Sequence, residues 1–114
     1  MKRAGQIALM PFPFTNLKHS KKRPVLLLRQ LDNANDDWLV CMVSSQVRHA
    51  VADLDWVLDQ ESPEFIDSGL KNTSVFRLSR IAVLEGSLLI GLLGSISDSR
   101  LDELKRRLGA WIVD

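Results

Sequence analysis

The sequence predicts a mainly β protein: a small curled sheet of short antiparallel strands that closes into a barrel and carries one C-terminal α-helix. Three observations lead there. Between residues 6 and 96 the chain is a series of strand-length apolar runs broken by turn clusters. The last run contains Gly91 and Gly94, and glycines inside a strand mark bulges or sharp bends. After Ser97 the period changes, and Leu101, Leu104, Leu108, Trp111 and Ile112 recur at three- and four-residue steps as one apolar helical face. A length of 114 residues fits a single domain, assigned to residues 1–114.

Residues 6–10 alternate, with Ile7 and Leu9 on one side. Pro11 and Pro13 are then expected to stop sheet pairing, because proline donates no hydrogen bond. A polar loop is expected from there to Arg23. Residues 24–28, Pro-Val-Leu-Leu-Leu, form an uninterrupted apolar run of the kind found in a central strand. The cluster at 33–37 is a turn, and residues 38–43 are the returning strand of a hairpin. A shorter strand is expected at 54–58, with loops at Ser62-Pro63 and Ser68-Gly69, and further strand pieces at 73–78, 81–84 and 88–96. Ser97 is the expected N-cap of the helix. Asp98, Asp102 and Glu103 lie near the positive end of its dipole, and Lys105, Arg106 and Arg107 nearer the negative end. Gly109 is expected to weaken or end the helix, and Trp56 and Trp111 are expected to pack in the core.

Hydrophobic residues make up 46% and charged residues 25%, the profile of a globular chain rather than a disordered one. The single cysteine, Cys41, excludes an intramolecular disulfide and a cysteine-only metal cluster, and it fits a reducing cytoplasm. Mid-strand, it reads as a buried apolar filler. No apolar run approaches the ~20 residues that span a bilayer. The basic start, Lys2-Arg3, is followed by no signal-peptide core. The expected location is therefore cytoplasmic, with no membrane partner.

A net charge of +1 argues against nucleic-acid binding by bulk charge, but the charge is unevenly spread. Residues 1–48 carry +5, residues 49–70 carry −6 with no Lys or Arg, and residues 71–114 carry +2. The densest basic run, Lys18-His19-Ser20-Lys21-Lys22-Arg23, ends directly on a strand, which holds it more rigidly than a tail. The absence of Tyr disfavours an aromatic stacking platform.

Most common chemistries lack their residues. His19 and His49 are too far apart for a ligand pair, so no metal site is expected. With neither GxGxxG nor GxxxxGK[ST], no nucleotide cofactor is expected. Ser44-Ser45 follows a strand, but without the surroundings of a hydrolase nucleophile. What remains is metal-free phosphoryl chemistry. Attack of an RNA 2′-OH on its own phosphate needs a base, an acid for the leaving 5′ oxygen, and cations on the pentavalent state. Arginine suits the last role because its planar fork matches phosphate oxygens. Arg23 heads one strand, and Ser44-Ser45-Gln46 ends the next. An antiparallel hairpin would bring these ends to one edge, with His19, Lys21 and Lys22 on the adjoining loop.

At these residues the chain resembles the MazF/PemK family of toxins from type II toxin–antitoxin systems, more closely its PemK-like branch. The resemblance rests on Gly5-Gln6-Ile7, Pro11-Phe12-Pro13-Phe14-Thr15-Asn16-Leu17, the run from Lys21-Lys22-Arg23-Pro24 to Leu28, Val43-Ser44-Ser45-Gln46, Ser74-Val75-Phe76-Arg77-Leu78, and Leu93-Gly94-Ser95-Ile96-Ser97. It implies an SH3-like, CcdB-type barrel that forms a homodimer. It implies a metal-independent endoribonuclease that cuts single-stranded RNA, mRNA in particular, through a 2′,3′-cyclic phosphate. It also implies a cognate antitoxin whose flexible tail fills the groove, with operator DNA bound only through the antitoxin complex. No cofactor is implied. Arg23 matches the arginine of the family's RP pair, as acid/base or transition-state cation. Ser44 matches the hydroxyl after the third strand. Arg77 matches a later arginine and is either a second cation or the partner of Asp53 or Asp55. His19, Lys21, Lys22, Ser45 and Gln46 are the expected substrate-binding set, Ser45 and Gln46 through the resemblance and the other three through their place beside Arg23.

The chain departs from the family at Gln6, where many members carry an acid, and at Ser79, where some carry an Asp that serves as base. That leaves the proton acceptor open, with His19 as one candidate because its pKa lies near working pH. Two non-catalytic readings of the same barrel also remain. One is a gyrase poison acting through Trp111-Ile112. The other is a protein that keeps only antitoxin and operator binding, which Ser79 favours.

Overall fold

A computed structural model describes residues 2–13 and 20–114. Its strands are β1 (Gln6–Pro13), β2 (Ser20–Gln30), β3 (Asp37–Ser44), β4 (Trp56–Leu58), β5 (Ser74–Glu85) and β6 (Gly91–Ser95). They form one antiparallel sheet in the order β4-β5-β3-β2-β1-β6, curled into a half-barrel. A four-residue helix, α1 (Phe65–Ser68), precedes β5, and α2 (Asp98–Val113) closes the chain.

The apolar runs explain the layering. Val25, Leu26, Leu27 and Leu28 on β2 are each at most 1% exposed, so this strand is covered on both faces. Leu26, Leu28, Cys41, Val43, Phe76 and Leu78 share one cluster with Leu101, Leu104 and Leu108 of α2. Met10, Phe12, Val25, Leu27, Trp38 and Val40 share a second cluster. Each buried leucine of α2 stabilises the fold by about 1.5–3 kcal/mol. Cys41 is fully buried; burial first, and the Asp55 charge second, push its thiol up to about 12. It packs as an inert apolar side chain.

Several sequence-based boundaries move. The prolines do not stop β1, which stays paired with β2 through Pro11↔Lys22 to Pro13↔Ser20. The Leu9 carbonyl accepts from Ile90 N–H on the β6 side, and the β6 ladder ends at Leu9↔Gly91. Alternation turns the missing donors of Pro11 and Pro13 to that same side, where among the described residues the β6 pairing has already ended. Lys21, Lys22 and Arg23 consequently lie on β2, not in a loop. Residues 73–78 and 81–84 belong to one twelve-residue strand, β5, bent where the register jumps from Met42↔Arg77 to Cys41↔Ile81. Gly109 does not end α2, which runs through it to Val113. Gly109 meets no neighbour and lies exposed, so its propensity cost of about 1 kcal/mol is not enough to break the helix. Trp111 and Ile112 do not pack on the core; they are 56% and 62% exposed, one turn beyond the last buried leucine. Trp56, by contrast, is buried as expected, its ring centroid 4.7 Å from that of Phe76.

A cap, a guanidinium network and close glycine packing fix the helices beside the sheet. Ser97 caps α2, its Oγ accepting from Arg100 N–H at 3.1 Å. The Arg100 guanidinium then forks onto Glu64 (3.0 and 2.8 Å), reaches Glu103 (2.9 Å) and stacks over the Trp56 ring at 4.5 Å. The end of α1 is welded to β6 by glycines. Gly69 has φ +69°, and a Cβ there would lie 1.9 Å from the Leu93 carbonyl. A Cβ on Gly94 would lie 2.3 Å from the Asp67 carbonyl.

Gly94→Ala is therefore expected to cost about 2 kcal/mol or more, while Gly91→Ala, with open space around it, stays within about 0.5 kcal/mol, as read from urea midpoints. The Arg100 hydrogen bonds hold the Glu64 carboxyl below its usual range. A depressed folded-state pKa gives stability that is present above the ordinary glutamate value of about 4.3 and lost as pH falls through the folded value. Wild-type protein should thus lose more thermal stability than Glu64→Gln between pH 6 and pH 3 (roughly chosen to bracket that titration).

Candidate active-site cleft

The cleft begins at a proline. Pro24 has no N–H to donate. The β1–β2 ladder runs straight past it, through Leu9↔Pro24 and on to Pro13↔Ser20. The β2–β3 ladder instead ends at Val25↔Met42, one residue after it. The missing donor tells on the β3 side, and the end of β2 is left unpaired with the end of β3. Arg23, Pro24, Val43, Ser44 and Ser45 line a cleft of about 280 Å³ in that fork, together with Gly69, Leu70, Lys71, Asn72, Ser74 and Leu93.

The hairpin thus brings Arg23, Ser44 and Ser45 together, as antiparallel pairing requires. Ser44 is 7% exposed, and its Oγ accepts from the Gln46 N–H at 3.0 Å. Among the described residues its own O–H has no acceptor, which leaves the proton available to a group in the cleft. Gln46 is exposed just beyond, and its backbone, not its amide, orients Ser44. Lys21 and Lys22 lie exposed on β2 next to Arg23 and outside the cleft lining. His19 falls outside the described residues.

Arg77 goes elsewhere. It is absent from the cleft lining, and its Nε pairs with Asp55 Oδ2 at 3.4 Å, with the side chain 11% exposed and that of Asp55 fully buried. The same carboxylate accepts from Ser79 N–H, Ser79 Oγ–H and Val51 N–H, each at 2.9 Å. The bend in β5 explains this cluster: residues 78–80 have no partner on β3, and Asp55 takes the orphaned Ser79 donor. Ser79 thus binds an acid that arrives from another loop. With every bond made internally, Asp55 has no reach into the cleft.

The wall 69–74 was not singled out from sequence. Its signal was the Ser68-Gly69 pair, readable as a helix end, with Lys71 as the first cation after the acidic stretch. No carboxylate or imidazole lines the cleft among the described residues. No described group of three or more His, Cys, Asp or Glu could hold a metal ion, and no described helix is long and apolar enough to cross a membrane.

No curated protein matches the chain in sequence. Solved structures share its fold, among them a toxin and an endoribonuclease. A Mycobacterium tuberculosis toxin, MazF-mt6, is 18% identical, with a TM-score of 0.65 over 92% of this chain and 93% of that one. An endoribonuclease in complex with its cognate antitoxin, from a mycobacterial species, is 13% identical, with a TM-score of 0.66 over 98% and 95%. The family model of PemK-like, MazF-like toxins of type II toxin–antitoxin systems matches residues 3–112, and the chain belongs to that family.

Proposed function

We propose that the chain is a metal-independent endoribonuclease toxin that cleaves single-stranded RNA, mRNA in particular, and is neutralised by a cognate antitoxin. The observation that carries this reading is the fork at Pro24, which gathers a guanidinium and two hydroxyls in one cleft beside two further lysines. That set suits an anionic phosphodiester: cations and O–H donors with no carboxylate among the described lining residues to repel the substrate.

In the proposed reaction the 2′-oxygen attacks the adjacent phosphorus and the P–O5′ bond breaks. The 2′ proton passes to a base, and the 5′ oxygen takes a proton as it leaves. Arg23 binds the phosphoryl oxygens in a fork, and its attraction grows as charge collects on them. Ser44 donates its free O–H to the same oxygens, and Ser45 borders them. Arginine is too basic to accept the 2′ proton at neutral pH, and among the described residues the lining holds no carboxylate or imidazole. His19 is the candidate base. Arg77 supports the site from a distance, by pinning the bend of β5 through Asp55 rather than by touching substrate.

The exposed Trp111, Ile112 and Val113 at the end of α2 give apolar surface that fits a homodimer contact. That exposure also favours a second reading, a gyrase poison, which a supercoiling assay separates from RNA cleavage.

Purified protein is expected to cleave single-stranded RNA in excess EDTA and to leave 2′,3′-cyclic phosphate ends. A substrate with a 2′-deoxy sugar at the scissile position should resist. Arg23→Ala should lower kcat on the order of a hundredfold or more, and Ser44→Ala by about tenfold or more. Both should keep the wild-type melting temperature within a few degrees. Full cleavage by both variants would overturn these assignments, and cleavage abolished by EDTA would overturn metal independence.

A further inference from the structure

The cleft wall formed by residues 69–74 combines a close glycine contact with exposed polar side chains. Gly69, in the left-handed region, turns the chain out of α1 with its backbone against the Leu93 carbonyl. The flanking residues are held by hydrogen bonds between side chain and main chain: Leu70 N–H donates to Ser68 Oγ at 3.2 Å, and Ser74 Oγ–H donates to the Asn72 carbonyl at 2.8 Å. Gln60 N–H donates to Thr73 Oγ1 at 3.0 Å. Lys71 and Asn72 thus lie between bonded neighbours, with the Asn72 carbonyl itself bonded, yet both are exposed and line the cleft. Among the described residues neither side chain makes a hydrogen bond or an ion pair, whereas Arg77, Arg100, Arg106 and Arg107 are all ion-paired. Leu70 and Leu93 lie beside them on the same wall.

We propose that this wall reads the nucleotide beside the scissile phosphate, with Asn72 bonding its base edge and Lys71 its flanking phosphate. The proposal rests on the endoribonuclease reading. The chemistry divides the roles. The Asn72 amide presents a donor and an acceptor side by side, the pair needed to discriminate bases. Lysine offers only donors on a mobile point charge, which suits a phosphate and carries no sequence information. Leu70 and Leu93 give the base an apolar surface. The hydrogen bonds around the main chain at 70–74 limit the ordering cost of binding mainly to the two side chains.

The test is cleavage of an RNA pool randomised around the cut site, with fragment ends sequenced, for wild type, Asn72→Ala, Asn72→Gln, Lys71→Ala and the control Lys105→Ala on the exposed side of α2. Wild type should favour one base at a position next to the cut. Asn72→Ala should reduce that preference about tenfold without changing preferences elsewhere, and Asn72→Gln should restore part of it. Lys71→Ala should keep the preference but raise KM several-fold for every sequence, with the log–log salt slope smaller by about 0.7. Lys105→Ala should match wild type. If wild type cleaves while the Asn72 and Lys71 variants keep its preference, KM and salt slope, this proposal falls alone. If wild type cleaves no RNA, the endoribonuclease reading falls with it.

Discussion

The arrangement of the site depends on one missing hydrogen bond. Pro24 interrupts the β2–β3 ladder and spares the β1–β2 ladder, so β2 keeps a rigid neighbour on one side while parting from β3 on the other. A residue with an N–H at that position could extend the pairing by one step and draw Arg23 and Ser44 into a closed sheet. The proline makes the opening cheap, because the donor it lacks needs no partner. The same chemistry recurs at Pro11 and Pro13, where the missing donors face the side that β6 has already left.

Around that opening, polar groups with no ladder partner are satisfied locally. The bend in β5 leaves Ser79 without a strand, and Asp55 fills the gap while pairing with Arg77. A buried carboxylate with four hydrogen bonds is costly to disturb, since losing one partner leaves charge uncompensated. The Arg107 guanidinium extends the connection from α2 by donating to the Asp55 carbonyl at 3.1 Å. Helix, bend and loop are thereby joined behind the cleft, and the proposed reaction draws its fixed geometry from groups that never meet substrate.

The sequence made the frame legible and hid the details that depend on tertiary partners. The hairpin of β2 and β3 was readable because its apolar runs and turn cluster are local signals, and the meeting of Arg23 with Ser44 follows from antiparallel pairing alone. The Ser97 cap and the leucine face of α2 were readable for the same reason. The extent of β1 was not, because whether a proline breaks a strand depends on which edge is partnered. For Arg77 the sequence left two roles open, a second cation or a partner of Asp53 or Asp55, and the position of Asp55, 22 residues away, decides for the ion pair. The exposure of Trp111 depends on where the sheet ends beneath the helix, which no periodicity records. The wall at 69–72 rests on glycine contacts between segments distant in sequence, so Lys71 and Asn72 carried no motif.

The central claim is that Arg23 and Ser44 act on one phosphate across the Pro24 fork. A double-mutant cycle tests it most directly, with single-turnover RNA cleavage in EDTA measured for wild type, Arg23→Ala, Ser44→Ala and the double variant. The account predicts strong non-additivity: the double variant should lose little more than the worse single one, with a coupling of at least about 1 kcal/mol. Losses that simply add would mean that the two residues act independently, and would contradict it.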